Sequence, residues 1–209
     1  MKKNFDFKQK AKQVFLPNVV LPELPELQQV ENKLESILSG NTGPVGDICH
    51  HLLSAKGKRI RPLLVCLSGK LFNANTKDLI DCATAIELIH MASLVHDDII
   101  DKAKTRRGLP SINKFWGNHI AVLAGDFLFA KAFNLLSFPH LAGVMQIVTK
   151  TIDIMCQGEI EQAVVTGNLD QTIEDYFERI EKKTGKLIAT SCSIGPLIGK
   201  SSQSDLNLL

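Results

Sequence analysis

KDLIDCATAIELIHMASLVHDDIID, residues 77–101, is the stretch that decides the fold. Leu79, Ile80, Ala83, Ile86, Leu88, Ile89, Met91, Leu94 and Val95 leave it apolar almost all round. A helix without a polar face belongs inside a bundle. The spacing therefore predicts a buried central helix over 77–101, terminating in the carboxylates Asp97, Asp98 and Asp101.

Working outward, hydrophobic spacing is helical nearly everywhere and no convincing period-two segment appears. Pro17, Pro22 and Pro25 set off an N-terminal arm, 1–25, from a first helix near 26–39. Gly40, Gly43, Pro44 and Gly46 form a break before a short helix near 46–55. Another starts around Pro62, a residue well tolerated in a first turn, and runs to Leu71. Beyond the central helix a loop is expected over 102–113, then helices near 117–137, 141–166 and 171–194. The fold class is all-α, a bundle of long helices. Residues 26–209 read as the N-terminal part of a single domain.

Composition narrows the function. The chain has 209 residues, 44% apolar and 22% charged, enough to bury a core. A net charge of +2 is too small to argue for nucleic acid or a membrane surface. The cysteines Cys49, Cys66, Cys82, Cys156 and Cys192 are scattered and form no C-x-x-C pair. They suit buried thiols in a reducing cytoplasm better than zinc ligands or disulfides. The N-terminus carries no secretory signal. The apolar stretch 187–198 is short and broken by Gly195 and Pro196, so no transmembrane segment is expected.

Asp97 and Asp101 are four apart and share a helix face, with Asp98 on a neighbouring one. Carboxylates gathered at a helix C-terminus repel one another and oppose the helix dipole. Unless the end is simply solvated, a cation must neutralise them. Hard carboxylate oxygens without cysteine suit Mg2+ held jointly with substrate phosphates. The helix is apolar throughout, which disfavours a merely solvated end.

Cations flank this helix in the sequence. Gly57-Lys58-Arg59-Ile60-Arg61-Pro62 lies just ahead of a helix start, where free N–H groups and the dipole favour anions. Taken alone, this is more simply a solvated basic turn. Arg106-Arg107 follows the last aspartate by five residues, and a short loop can fold the pair back over phosphate. His90 lies seven residues before Asp97, on nearly the same face. It is either a satisfied core histidine or part of a polar site.

Six motifs in order, GKRIRP (57–62), ELIHMASLVHDDIID (87–101), RRG (106–108), GDFLFA (125–130), GEIEQ (158–162) and KKTGKLIA (182–189), resemble the trans-prenyltransferases. More narrowly they resemble the bacterial polyprenyl diphosphate synthases and the large subunit of heptaprenyl diphosphate synthase. The likeness runs from about residue 26 to 199. It implies helices around a central cavity, in which an allylic diphosphate ionises and isopentenyl diphosphate attacks the cation. By motif position, Lys58, Arg61, His90 and Arg107 would hold isopentenyl diphosphate. Asp97 and Asp101, supported by Asp98, would bind Mg2+ on the allylic diphosphate, with Arg106, Lys183 and Thr184 reaching the same leaving group.

The isoprenoid tail should run back along the helix from the aspartates. Ser93 and Ala92, four and five residues before Asp97, are small where a short-chain enzyme would place a bulky floor. A long product is expected, primed by farnesyl or geranylgeranyl diphosphate, of the kind that supplies a quinone side chain such as that of menaquinone. The resemblance also implies a dimer, or a heterodimer with a small regulatory subunit. The family's second aspartate-rich motif is missing, since Asp97-Asp98 is the single Asp-Asp pair in the chain. The sequence therefore reads as C-terminally truncated. An alternative is a non-catalytic interaction subunit of the same fold. His96-Asp97 also raises a His-Asp phosphohydrolase, which would need further histidine ligands in order.

Overall fold

The computed structural model describes residues 24–55, 57–167 and 170–199. The described residues are almost entirely helical, as the spacing predicts, and the expected N-terminal arm lies almost wholly outside them. Helix α1, Pro25–Ser39, starts on proline and buries the stripe Val30, Leu34 and Leu38. Helix α2, Gly43–Ser54, begins at a glycine with φ 62°, earlier than expected because Pro44 pre-sets the first turn. Helix α3 covers Ile60–Leu71 and helix α4 Thr76–Ile100. Asn75 caps α4, its side chain accepting from the backbone N–H of Lys77 at 2.9 Å.

α4 is the core. Its buried residues run from Leu79 to Asp98, and α1, α3 and α5 pack around it. The loop expected at 102–113 instead contains a small antiparallel hairpin, β1 Thr105–Arg106 and β2 Leu109–Pro110. Arg107 and Gly108 form its turn, both with positive φ (51° and 81°), as a tight two-residue turn needs. Strands of two residues are too short to register as a period.

Helix α5, Ile112–Leu136, is broken by a kink at Gly117 (φ 83°, ψ 162°), so its long stretch begins beside the start expected at 117 and a short helical turn precedes it. A 3-10 turn, Pro139–Leu141, leads into helix α6, Ala142–Val165. The single helix expected over 171–194 is divided into α7 (Ile173–Ile180), a π-helical turn (Glu181–Gly185) and α8 (Lys186–Ile198). α8 packs on α3, where a Cβ on Gly195 would stand 2.3 Å from the Ser68 backbone.

α4 and α5 are long and apolar enough to cross a membrane by length and hydropathy alone, a feature the sequence reading attributed to no segment. In α4 the apolarity is that of the core, with 78% of its most apolar window buried. In α5 the figure is 33%, and Val122 and Leu123 lie on its exposed side.

Candidate active site

The turn before α3 builds a cationic pocket. Arg59 has left-handed backbone (φ 50°, ψ 36°), and its guanidinium ties into the protein: Nε donates to Glu31 at 2.5 Å and Nη1 to Glu87 at 2.7 Å. Lys58 on one side of it is exposed, and Arg61 on the other is half-buried. Arg61 Nη1 lies 3.1 Å from His90 Nε2, and its Nε is buried with no hydrogen-bond partner. Arg107 reaches across from the hairpin turn and donates to the Ala55 carbonyl at 2.9 Å. It passes so close to Gly57 that a Cβ there would sit 2.3 Å from Nη1 and would displace the Arg107 guanidinium. Lys58, Arg61, His90 and Arg107 thus line one cavity of about 410 Å3, the grouping expected from the motifs.

Burial, reinforced by Arg61 and Arg107, lowers the His90 pKa to about 3. The imidazole is therefore neutral at ordinary pH. Burial also pulls Arg61 below its usual value, with Glu87 opposing and Arg107 adding to the shift. Cations crowded together, one of them half-buried with an unmet donor, form a site that favours an anion.

Two turns further along α4 the polarity reverses. Asp97 lines a cavity of about 460 Å3 together with Ser93, Phe129, Glu159, Lys183 and Thr184. Burial first, then the negative charge of Glu159, raises the Asp97 pKa to about 6, with Lys183 opposing and Asp101 adding to it. Lys183 and Thr184 come from the π turn, an irregularity that often marks functional positions. Lys183 Nζ is held 2.7 Å from Glu159 Oε1 and 3.0 Å from Gln162 Oε1. Gly158 permits this approach, since a Cβ there would stand 2.8 Å from Lys182 Cβ.

The three aspartates do not converge. Asp98 points toward the hairpin, buried, its carboxylate accepting from Arg106 Nε at 3.0 and 3.2 Å and from Nη2 at 2.5 Å. Successive helical residues diverge by about 100°, which separates Asp98 from Asp97, whereas the exposed Asp101 returns to the Asp97 side. Among the described residues no group of three or more His, Cys, Asp or Glu side chains is placed to hold a metal. The expected triad therefore becomes a pair, Asp97 and Asp101. Arg106, expected over phosphate, is engaged by Asp98 instead. The donor chemistry still fits a hard divalent cation. Asp97 offers carboxylate oxygen held near the wrong protonation state by burial and like charge, and a cation shared with phosphate would relieve both.

The expected chain-length pair also separates. Ser93 lines the Asp97 cavity, while Ala92 is fully buried in the core and does not. Adjacent helical residues face different ways, and here the difference is cavity against core. The buried thiols are Cys49, Cys66 and Cys82, and burial pushes the last two up to about 12. Cys156 is exposed and Cys192 half-buried, contrary to the expectation for all five; every one is free of disulfide bonding. Among the residues sequence reasoning left without a role are Glu159, inside the GEIEQ motif, and Arg59 with its partners Glu31 and Glu87. Nothing in the linear pattern marks those pairings. His96 goes to the Val122 carbonyl at 3.1 Å, close above Gly125, and no histidine cluster of the phosphohydrolase kind forms around it among the described residues.

The sequence profile of the polyprenyl synthetase family matches residues 44–209, which include the cationic pocket, the Asp97 cavity and the π turn. The chain belongs to the polyprenyl synthetase family. Among polyprenyl synthetases with curated descriptions, heptaprenyl diphosphate synthase component 2 of Geobacillus stearothermophilus is 43% identical over 82% of this chain and 54% of its own length. The chain spans about half the length of the curated relatives it matches. The crystal structure of heptaprenyl diphosphate synthase from Staphylococcus aureus superposes with a TM-score of 0.80 at 36% identity, over 87% of this chain and 58% of that one. That of polyprenyl synthase from Caulobacter crescentus CB15, complexed with calcium and isoprenyl diphosphate, gives 0.82 at 28% identity, over 87% and 56%.

Proposed function

We propose that this chain is part of a long-chain prenyl diphosphate synthase, which condenses isopentenyl diphosphate onto an allylic diphosphate primer with Mg2+. The observation that carries the reading is the pairing of two opposite sites on one helix. His90 in the cationic pocket and Asp97 in the acidic cavity are seven residues apart, about 10 Å along α4. That separation suits two diphosphate-bearing substrates laid side by side.

In this reading Lys58, Arg61 and Arg107 bind the diphosphate of isopentenyl diphosphate, Arg through paired N–H donors and Lys as a point charge. Neutral His90 orients Arg61 and adds no charge of its own. The allylic diphosphate sits in the other cavity, where Lys183 and Thr184 reach its leaving group. Asp97 and Asp101 would hold Mg2+ there, which when bound neutralises the charge that builds on the departing diphosphate. Asp98 fixes Arg106, whose remaining donors add positive potential at the same end of the helix. Apolar walls such as Phe129 keep water from the allylic cation until the isopentenyl double bond attacks. Support for a divalent cation comes from the donor set and from the calcium and isoprenyl diphosphate bound by the Caulobacter relative.

The finer assignments follow the relatives' chemistry. A farnesyl or geranylgeranyl primer and a quinone side chain as destination belong to the same proposal and rest on the motif resemblance. The name component 2 supports assembly as a dimer with a small regulatory subunit, alongside a homodimer. Free cysteines agree with a cytoplasmic setting.

The test is incorporation of labelled isopentenyl diphosphate into farnesyl diphosphate with Mg2+, run with this chain alone and with companion subunits. Elongation that Asp97→Ala abolishes supports the reading. Elongation unchanged by that substitution would remove Asp97 from the metal site. No elongation in any combination would favour a non-catalytic subunit of the same fold.

A further inference from the structure

α4 presents two side chains one turn apart to the start of α3, and each meets an arginine. His90 meets Arg61 at 3.1 Å. Glu87, with a side chain only 2% exposed, accepts from Arg59 Nη1 at 2.7 Å. Arg59 also reaches α1, donating to Glu31 through Nε at 2.5 Å and Nη2 at 3.2 Å. Three of its N–H donors are thus engaged within the protein, although it lines the cavity between two cations that are available to a ligand.

The backbone of Arg59 supplies the second half of the case. Its left-handed conformation is one that a non-glycine residue keeps only where its surroundings over-determine it. The bend at Arg59 separates exposed Lys58 from half-buried Arg61, yet both line the same cavity with Arg107. A carboxylate in an anion pocket would repel its ligand unless it were neutralised, and Arg59 neutralises Glu87.

We propose that Glu87 is a positioning residue for the cationic pocket: by anchoring Arg59 to α4, it holds the left-handed bend that turns Lys58 and Arg61 toward Arg107. This rests on reading that pocket as the isopentenyl diphosphate site. Glu87 touches no substrate and acts through Arg59.

Calorimetric titration with isopentenyl diphosphate, and separately with inorganic diphosphate, reads the pocket. E87Q keeps an acceptor and drops the charge. The double variant R59Q/E87Q removes both members, so that no buried charge is stranded. Each should bind diphosphate about 10-fold to 100-fold more weakly, the loss typical of supporting partners behind a ligand site. The His90 ring resonances should shift in both variants, while the double variant unfolds near the wild-type midpoint. A merely structural role would lower the midpoint and leave the affinity of the folded protein unchanged. Affinity of the double variant within about twofold of wild type would overturn the positioning role. If the wild-type chain binds neither ligand, the reading of the pocket itself falls, and the positioning role falls with it.

Discussion

His90 shows how a single side chain is set by its surroundings. Its folded pKa is about 3 against an ordinary 6.5, chiefly through burial. Between those values the unfolded chain binds a proton that the native one refuses, so stability rises with pH there. The contribution is complete above 6.5 and is lost as pH falls toward 3, at up to about 1.4 kcal/mol per pH unit. Asp97 has the opposite sign: its pKa is raised from 3.8 to about 6, so its contribution is lost as pH climbs through that window. The difference between wild type and His90→Gln isolates the histidine. Urea unfolding from pH 4 to 7 should show a shallower rise for the variant, and parallel curves would contradict the neutral imidazole. At the same scale, Ser93→Phe should shorten the products of the active enzyme, because Ser93 faces the Asp97 cavity. Ala92→Phe should instead cost about 1–3 kcal/mol of stability by overpacking the core. Product chromatography and denaturant titration tell the two apart, and the reverse pattern would exchange their roles.

Each functional element owes its shape to close approaches. α4 and α5 can pack tightly because Gly125 faces His96, where an added Cβ would stand 2.1 Å from Nε2. Gly125→Ala should therefore lower stability by about 1–3 kcal/mol and disturb the His96 ring signals. An unchanged unfolding midpoint would mean that the His96 ring simply swings aside. The hairpin works differently. Its two-residue turn sends Arg107 to the cationic pocket, while Arg106, one residue earlier in the strand, turns to Asp98. Neighbouring arginines thus meet the same helix two turns apart, Arg107 near His90 and Arg106 at Asp98, which a loop drawn through 102–113 does not reveal. The π turn likewise reads as ordinary helix in the sequence, because one extra residue per turn barely alters the hydrophobic spacing. Its effect is nonetheless to place Lys183 and Thr184 on the Asp97 cavity.

Across the whole molecule the two cavities draw on largely different charges, although Arg106 acts on both His90 and Asp97. The groups acting on Arg61 are Glu87 and Arg107, and those acting most on Asp97 are Glu159, Lys183 and Asp101. Arg61 and Asp97 themselves share none of these groups, and His90 and Asp97 stand about 10 Å apart along α4, so perturbations at Arg61 and Asp97 should add. Arg61→Ala and Asp97→Asn should combine in unfolding free energy to within about 0.5 kcal/mol of the sum of the single effects. A larger deviation in a double-mutant cycle would show coupling through α4. At this scale the described surface also carries unburied apolar side chains, with Ile173, Tyr176, Phe177 and Ile180 forming one stripe of α7.

The sequence by itself determined the all-α class, the central position of 77–101 and the chemical character of both sites. Those properties follow from periodicity and residue type, which are local. The boundaries of the long helices were legible for the same reason, except where one π turn altered the path without altering the pattern. The residue pattern already set Arg61 apart from Arg59 and gave Arg107 and Arg106 different roles, whereas only the tertiary structure shows that Asp98 turns to Arg106 and that Ser93, not Ala92, lines the Asp97 cavity. Successive side chains on a helix or strand point in different directions, and which direction meets a cavity depends on partners far away in the chain. Glu31 and Glu87 engage Arg59 from 28 residues away on either side, and no linear spacing announces such a contact.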